Sequence, residues 1–216
     1  MIAELTPRRE QRKMNKEGLV LVVSGPAGSG KGTVNKILRE TGDYVLSISR
    51  TTRAPRVGEE HGREYYFVTQ EEFDKCLAEK DFLEYNEYCG NSYGTPKSMV
   101  ESILAQGKNV ILEIEVNGAR QVKENCPDAV MIMLLPPSFA VQESRLRGRG
   151  TETEDKILKR LEQTHYEIDQ LAMYDYIVIN EDGGAARAAE DIMAIVRAEH
   201  CTRRRNADMQ KKYFEN

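Results

Sequence analysis

The sequence lacks the long apolar runs and the excess of one charge that mark several common classes of protein. Its longest apolar stretches, VILEIEV and VMIMLL, are far shorter than the ~20 residues of a membrane span. No apolar signal segment follows the basic stretch RREQRK near the N-terminus. The formal net charge of -4 gives no chain-wide positive field for nucleic acid. We therefore expect no membrane partner and no nucleic-acid partner.

The cysteines and histidines are few and scattered, and they form no metal-binding motif. There is no C-x-x-C pair and no pair of neighbouring histidines, so a structural zinc site has little support. Dispersed single cysteines are typical of a reduced, cytoplasmic protein. The residues concerned are Cys76, Cys89, Cys126, Cys201, His61, His165 and His200.

Short apolar runs alternate with amphipathic helical patterns along most of the chain. This alternation is typical of a parallel sheet with helices on both faces, so we predict a three-layer α/β/α fold. The predicted strands are Leu19–Val23, Tyr44–Ser49, Val110–Ile114, Val130–Leu135 and Tyr176–Ile179. The predicted helices are Gly32–Glu40, Pro96–Gln106, Asn117–Glu124, Ser138–Arg147, Glu154–Met173 and Ala185–Glu199.

Two segments interrupt this alternation. Residues 50–95 read as short, half-exposed strands (REYYFV, FLEYNEY, NSYG) around one helix near Glu71–Lys80. Residues 145–153, RLRGRGTET, read as a mobile, charged loop between two helices. Two such attachments on a core suggest a site that closes over its ligands. The predicted units are a core (18–49, 96–144 and 158–200), an inserted lobe (50–95), a lid (145–157), a flexible extension (1–17, with Met1 or Met14 as the start) and a basic C-terminal helix or tail (201–216).

The segment SGPAGSGKGT, residues 24–33, carries the spacing G-x-x-x-x-G-K directly after a predicted strand and at the start of a predicted helix. Glycines in such a loop let backbone N–H groups curl around an anion, and the helix N-terminus adds partial positive charge. Lys31 adds a full charge at the terminal phosphates. We predict a loop that binds the phosphates of a nucleotide, made of Gly25, Pro26, Ala27, Gly28, Ser29, Gly30, Lys31, Gly32 and Thr33.

Gly32 stands where such loops usually carry a hydroxyl that contacts Mg²⁺. Either Thr33 helps to hold the metal, or water and substrate phosphates hold it, which Mg²⁺ tolerates because it retains several waters. We predict a working loop with relaxed metal ligation. A GTPase of the Ras type is disfavoured because no N-K-x-D motif follows the loop.

The segment SRTTRAPRVGEEHGREYYF carries Arg53 and Arg56 on a proline-stiffened turn, with Tyr65 beyond it. Farther along, FLEYNEYCGNSYGTP supplies Tyr93. Two guanidinium groups and two tyrosine hydroxyls suit the recognition of a phosphate monoester. This pattern of residues indicates a second substrate that carries a phosphate group.

Six segments together closely resemble the guanylate kinase family over residues 19–199: SGPAGSGKGT, SISRTTRAPRVGE, EYYFV, FLEYNEYCGNSYGT, LEIEVNGA and RLRGRGTETE. The resemblance implies Mg²⁺-dependent transfer of a phosphoryl group from ATP to GMP or dGMP, in purine nucleotide metabolism. It also implies GMP-binding positions at Ser49, Arg53, Arg56, Tyr65, Glu84, Tyr93 and Thr95.

The chemistry of guanine supports the role that the resemblance gives to Glu84. Guanine presents N1–H and a 2-amino group side by side, and one carboxylate accepts from both. Adenine presents an acceptor at N1, which an ionised carboxylate repels, and such buried mismatches give strong discrimination. Ser49 or Thr95 would donate a hydroxyl to O6 of guanine.

In the stretch VILEIEVNGA, Glu113 and Glu115 alternate with Ile114 at the end of the predicted strand and would therefore point to one face. The resemblance implies that these acids face the reaction centre, Glu115 near GMP and Glu113 near Mg²⁺ through water. A solvated sheet edge, or a pair that organises water and arginines, is the alternative for both.

The resemblance also implies lid arginines at Arg145, Arg149 and Arg160, with Arg147 as an additional neighbour. Such arginines would neutralise charge on the transferring phosphoryl group, as would Lys31 and Arg53. Asn180 would contact the adenine of ATP, and a turn or cap residue is its alternative role.

Two other functions remain open at this point. A sugar-phosphate kinase of the same superfamily would be expected to lack Glu84 with Tyr93 and Thr95. A non-catalytic protein-binding module would tend to lose Lys31 and the lid arginines, which are present here. The basic terminal stretches are expected to be solvated ends, the second extending the last helix, and the oligomeric state is left open.

Overall fold

A five-stranded parallel sheet forms the centre of the fold. It is seen in a computed structural model that describes residues 17–148, 150 and 153–215. All neighbouring strands in this sheet pair in parallel. In spatial order the strands are β2 (Tyr44–Leu46), β7 (Asn109–Leu112), β1 (Val20–Ser24), β8 (Val130–Leu135) and β9 (Tyr176–Ile179).

Helices cover both faces of this sheet, which confirms the predicted three-layer α/β/α fold. Leu21 and Val23 of β1 belong to a core cluster with residues of the helices on one face, and Val20 and Val22 belong to the cluster on the other. All five residues of β1 are buried, which explains why residues 20–23 are continuously apolar rather than alternating with polar residues. The helices are α1 (Lys31–Glu40) and α7 (Ala185–Glu199) on the first face and α3 (Lys97–Leu104) and α4 (Val116–Asn125) on the second.

A second, mixed sheet is built from the segment between β2 and α3. Its strands lie in the order β4 (Tyr66–Phe67), β3 (Arg50–Thr51), β6 (Asn91–Pro96) and β5 (Phe82–Tyr88). Helix α2 (Gln70–Ala78) begins with a capping box at Thr69 and packs Phe73 and Cys76 against Phe82 of β5. Because this small core contains few residues, most of the outer side of the lobe is exposed.

Helices α5 (Phe139–Gly148) and α6 (Glu154–Asp169) follow β8, and a 3₁₀ turn at Leu171–Met173 follows α6. The predicted helix Ser138–Arg147 and the predicted loop 145–153 overlap, and the helix is the one observed there, because Arg145–Gly148 continue α5. Arg147 pairs with Glu143 one turn earlier at 2.9 Å and Leu146 is buried, and both interactions suit a helix. The predicted helix Glu154–Met173 is likewise divided at its end.

The basic C-terminal stretch does not extend the last helix of the core, contrary to the prediction. Helix α7 ends at Glu199, and a 3₁₀ turn (Arg204–Asn206) and a separate helix α8 (Met209–Glu215) follow. The buried carboxylate of Glu199 accepts hydrogen bonds from Tyr176 (2.6 Å) and Arg205 (3.0 Å), which ties this turn to the sheet. The predicted N-terminal extension, including Met14, lies outside the described residues apart from Glu17.

No helix in the described part of the chain is both long and apolar enough to cross a membrane.

Candidate active site

The predicted phosphate loop lies between β1 and α1. The main-chain N–H of Ser29 donates to the carbonyl of Pro26 at 3.1 Å, which closes the turn. The ammonium group of half-buried Lys31 donates to the carbonyls of Gly25 and Pro26. Gly30 precedes the first residue of α1, and no side chain caps the helix there. The positive end of α1 and the ammonium group of Lys31 lie together here, an arrangement that suits an anion.

Two glycines of the loop are required by close contacts. A Cβ at Gly25 would lie 2.1 Å from the carbonyl oxygen of Leu134, and one at Gly30 would lie 2.2 Å from Nδ2 of Asn180. Gly30 also has φ of +88°, in the region that favours glycine. A Cβ at Gly32 would have no neighbouring atom within 4 Å, so no steric contact requires glycine there.

Asn180 and Arg145 lie together at the back of this loop. Asn180 follows β9, is buried, and donates from Nδ2 to the carbonyl of Ser29 at 2.8 Å. Arg145 donates to the carbonyl of Asn180 at 2.8 Å and to Asp182 at 2.7 Å. The structure therefore brings three sequence-predicted segments together: the loop, the end of β9 and the end of α5. Oγ of Ser29 and Oδ1 of Asn180 are buried there and have no partner among the described residues.

The two acids that follow β7 do not lie on a strand, contrary to the prediction. Strand β7 ends at Leu112, and Glu115 is the residue immediately before α4. Because neither residue lies on a strand, the period-two argument for a shared face does not apply, and both side chains are exposed. Their position still follows from the fold, since the carboxyl ends of parallel strands meet at one edge of the sheet.

Glu113 is held toward the phosphate loop by Asn35 of α1. Nδ2 of Asn35 donates to Oε2 of Glu113 at 2.8 Å, and Oδ1 of the same buried asparagine has no partner among the described residues. Thr33 lies exposed in the first turn of α1. The oxygens of these three residues are hard donors of the kind that Mg²⁺ and its bound waters prefer. Among the described residues no cluster of three acidic, histidine or cysteine side chains forms a metal cage.

Glu84 and Thr95 of the inserted lobe form a buried polar pair, and half-buried Ser49 lies beside it. Thr95 donates from Oγ1 to Oε1 of Glu84 at 2.6 Å, and Oγ of Ser49 lies 3.5 Å from the Thr95 hydroxyl. Glu84 is 7% exposed and Thr95 is fully buried. Burial raises the pKa of the Glu84 carboxyl, while the hydrogen bond from Thr95 acts in the opposite direction.

The predicted phosphate-binding side chains of the lobe lie near one another. The guanidinium of Arg53 lies 5.5 Å from the ring centroid of Tyr65, whose ring is 5.8 Å from that of Tyr93. Nη2 of Arg53 donates to both carboxylate oxygens of Glu59 at 3.0 Å, and Oε2 of the same carboxylate accepts from the main-chain N–H of Arg56 at 2.8 Å. Glu59 therefore orients the turn that carries both arginines, which the sequence reasoning did not foresee.

The lid is only partly described. Arg149 lies outside the described residues, and Arg160 is exposed on α6. Arg147, considered as an additional lid arginine, pairs instead with Glu143 and Glu154. Helices α5 and α6 pack through Leu146, Ile157 and Leu161, with Ala27 of the phosphate loop against them.

A buried amide joins the lid helices to the phosphate loop. Nε2 of Gln142 donates to the carbonyl of Ala27 at 3.0 Å and to Oγ1 of Thr164 at 2.7 Å. The Thr164 hydroxyl donates in turn to the carbonyl of Arg160 at 3.0 Å. Gln142 is 1% exposed and Thr164 is 4% exposed, so this chain of hydrogen bonds is shielded from water. The turn of α6 that carries Arg160 is thereby fixed relative to the loop.

Glu167 is a buried acid near the loop that the sequence reasoning also missed. It lies on the buried stripe of α6 formed with Ile157, Leu161 and Thr164. Burial raises the pKa of its carboxyl, and the positive charge of Lys31 acts in the opposite direction. A glutamate on the apolar stripe of an amphipathic helix is the signal that would have marked it.

A family model for guanylate kinase matches residues 17–198. The chain belongs to the guanylate kinase family. A guanylate kinase of Lactobacillus delbrueckii subsp. bulgaricus is 49% identical over 201 residues, which cover 92% of this chain and 98% of the relative. One of Caldanaerobacter subterraneus subsp. tengcongensis is 45% identical over 203 residues, 94% of this chain and 98% of the relative.

The fold of a solved guanylate kinase agrees with this result. The crystal structure of the guanylate kinase from Anaplasma phagocytophilum aligns with a TM-score of 0.66 and 34% identity, and it covers 87% of this chain and 88% of that one. Membership of the guanylate kinase family confirms the resemblance on which the sequence interpretation depended, and with it the assignment as a nucleotide-binding kinase.

Proposed function

We propose that this protein transfers the γ-phosphoryl group of ATP to GMP or dGMP, which yields ADP and the corresponding diphosphate. The observation that carries the proposal is the buried carboxylate of Glu84, held by Thr95 in the lobe of a guanylate kinase fold. A carboxylate in this setting matches the two adjacent donors of guanine and repels the N1 acceptor of adenine. Both alternatives are disfavoured, because the base-reading group, Lys31 and Arg145 are all present.

The donor site uses the loop 25–33. Its backbone N–H groups and Lys31 would bind the β- and γ-phosphates of ATP. We assign the adenine to the region of Asn180 and Arg145, because these residues border the loop on the side away from Glu113. Arg145 contacts the carbonyls of Gly28 (3.4 Å) and Asn180 (2.8 Å), so its guanidinium lies directly beside the loop.

A divalent metal, proposed to be Mg²⁺, fits the oxygen donors beside the loop. Thr33 and Glu113 would hold it, Glu113 through water, with Asn35 orienting the carboxylate. When bound, Mg²⁺ neutralises charge on the β- and γ-phosphates.

The acceptor site uses the inserted lobe. Glu84 would accept from N1–H and the 2-amino group of guanine, and Ser49 or Thr95 would donate to O6. Arg53, Arg56, Tyr65 and Tyr93 would bind the phosphate of GMP, with Glu115 near the same substrate. Arg53 would shift from Glu59 toward the phosphate or share its N–H groups between them.

The lid arginines would act on the transferring group. Phosphoryl transfer needs little covalent help from the protein, so positioning and charge neutralisation supply most of the catalysis. Lys31, Arg53, Arg145, Arg149 and Arg160 are the cations that we assign to this task. The closed site would also exclude water, which otherwise accepts the phosphoryl group.

An acceptor panel tests the proposal. ADP formation from ATP and Mg²⁺ is measured with GMP, dGMP, AMP, UMP and CMP as acceptors. We expect turnover with GMP and dGMP and little with the others. Such a preference would suit the role that we propose for the protein, an enzyme of purine nucleotide metabolism in the cytoplasm. Equal turnover with AMP, or none with any purine monophosphate, would contradict it. Calorimetric binding of GMP against AMP gives the same comparison without catalysis.

A further inference from the structure

Side chains on one face of α4 form hydrogen bonds with the backbone of strand β5 on both sides of Glu84. Nε2 of Gln121 donates to the carbonyl of Tyr85 at 2.9 Å, and Oε1 of the same side chain accepts from the N–H of Tyr85 at 3.1 Å. Nδ2 of Asn125 donates to the carbonyl of Leu83 at 2.9 Å. The residues immediately before and after Glu84 are therefore both held by the core domain.

These side chains provide hydrogen-bond partners to the backbone at the outer edge of the second sheet. Strand β5 lies at the end of the order β4-β3-β6-β5, so its outer backbone groups have no neighbouring strand. An unpaired edge is normally free to shift or to pair elsewhere. The amide of Gln121 offers one donor and one acceptor to Tyr85, as a neighbouring strand would do. The edge that carries Glu84 is thus fixed by side chains of a helix.

Gly118 lies on the same face of α4, three residues before Gln121 and seven before Asn125. A Cβ at this position would lie 3.0 Å from Oε2 of Glu84, which is closer than an ordinary van der Waals contact. On its other side, Oε1 of Glu84 accepts from Thr95 at 2.6 Å. The carboxylate is therefore confined between a hydroxyl and the backbone of α4.

We propose that Gly118, Gln121 and Asn125 are positioning residues that set the orientation of Glu84 and so determine the selectivity for guanine. Gly118 provides the room that the carboxylate occupies, and the two amides fix the strand beneath it. None of the three needs to contact the substrate. The inference rests on the proposed function, since it assigns a task to residues around the base-reading group.

The sharpest test is Gly118→Ala. A side chain here displaces the carboxylate, so we expect the KM for GMP to rise about tenfold, the order of one misplaced hydrogen bond, while the KM for ATP stays within about twofold. The preference for GMP over inosine monophosphate, which lacks the 2-amino group, should fall by a similar factor. Gln121→Met, which removes both bonds to Tyr85, should act in the same direction. Glu124→Ala, an exposed position of α4, is the matched control and should change neither KM.

Thermal unfolding separates positioning from simple structural support. A purely structural role for Gly118 predicts a lower Tm with unchanged discrimination against inosine monophosphate. If Gly118 had no role, the better helix former alanine would give an equal or higher Tm with unchanged GMP kinetics. A folded Gly118→Ala protein with wild-type KM for GMP and wild-type discrimination against inosine monophosphate would overturn the inference. If the wild-type protein itself showed no GMP-dependent ADP formation, the proposed function would be at fault instead. Wild-type activity on GMP is therefore measured first.

Discussion

Thr95 and Glu84 are joined by a hydrogen bond of 2.6 Å across the paired strands β5 and β6, with both side chains buried. One oxygen of the carboxylate is thereby oriented before any ligand arrives. Since burial raises the pKa of Glu84, the ionised form costs free energy until donors meet it. The N1–H and 2-amino groups of guanine are two such donors, which explains how one side chain would select a base.

Replacing Glu84 with glutamine tests this selection directly. The amide still accepts from Thr95, but it offers a donor where the carboxylate offered an acceptor. We expect kcat/KM for GMP to fall about 10²-fold or more, because the complementarity to both guanine donors is lost. The KM for ATP should change little. Steady-state kinetics with each substrate varied in turn makes the comparison, and an equal loss for both substrates would contradict the role.

The same variant tests the raised pKa of Glu84. A carboxyl whose pKa is raised by folding binds its proton more tightly in the folded state. Its contribution to stability is therefore fully present below the unfolded pKa and is lost as the pH rises through the folded pKa. Since glutamine does not ionise, the stability of wild type relative to Glu84→Gln should fall over that window. Thermal unfolding of both proteins from roughly pH 4 to pH 8 measures the difference. A difference independent of pH would argue against the shift.

Local patterns were sufficient to predict the central fold and the glycine-rich turn between β1 and α1. The buried strand β1, the glycines at 25 and 30 and the start of α1 are encoded by neighbouring residues, and their prediction needed no distant partner. Prediction failed where the outcome depended on long-range contacts. Strand β7 ends at Leu112 rather than Ile114, and the basic C-terminal stretch forms a separate turn and helix rather than an extension of α7.

The supporting contacts of the site were missed for the same reason. Gln121 meets a residue 36 positions away, and Gln142 meets Ala27 from a distance of 115 positions. A polar residue on an exposed helix face and one on a buried face look alike until the neighbouring element is known. For Asn35, Gln142 and Glu167, apolar residues at helical spacing on the same helix face did indicate that the side chain would be buried.

The buried amide of Gln142 should contribute measurably to stability. Gln142→Leu keeps the volume but leaves the carbonyl of Ala27 without its donor, so we expect a loss of about 1–2 kcal/mol in the free energy of unfolding. Thr164→Val should cost less in the Gln142→Leu background than in wild type, because the two side chains share one hydrogen bond. Chemical denaturation of the four proteins gives the coupling. Strictly additive losses would show that the pair does not act together.

Arg149 is expected to act in the transition state, and Arg147 provides its control. Removing a cation that neutralises the transferring phosphoryl group lowers kcat, so Arg149→Ala should reduce kcat about 10²-fold or more with little change in the KM for ATP. Arg147 is committed to Glu143 and Glu154 on the helix surface, and Arg147→Ala should stay within about threefold of wild type. A change confined to the KM in Arg149→Ala would indicate ground-state binding instead.

Gly32→Ser tests how the metal is held. No atom lies within 4 Å of a Cβ built at this position, and serine is a better helix former than glycine, so the variant should fold at least as stably as wild type. A hydroxyl here would become a direct ligand of Mg²⁺, and the metal concentration for half-maximal activity should fall severalfold. Glu113→Gln should raise that concentration, because it weakens the water-mediated hold that Asn35 orients. Titration of activity with Mg²⁺ at saturating ATP and GMP measures both effects. If Gly32→Ser left the requirement unchanged and Glu113→Gln did not raise it, the metal would be held by the phosphates and water alone, and the roles of Thr33 and Glu113 would have to be abandoned.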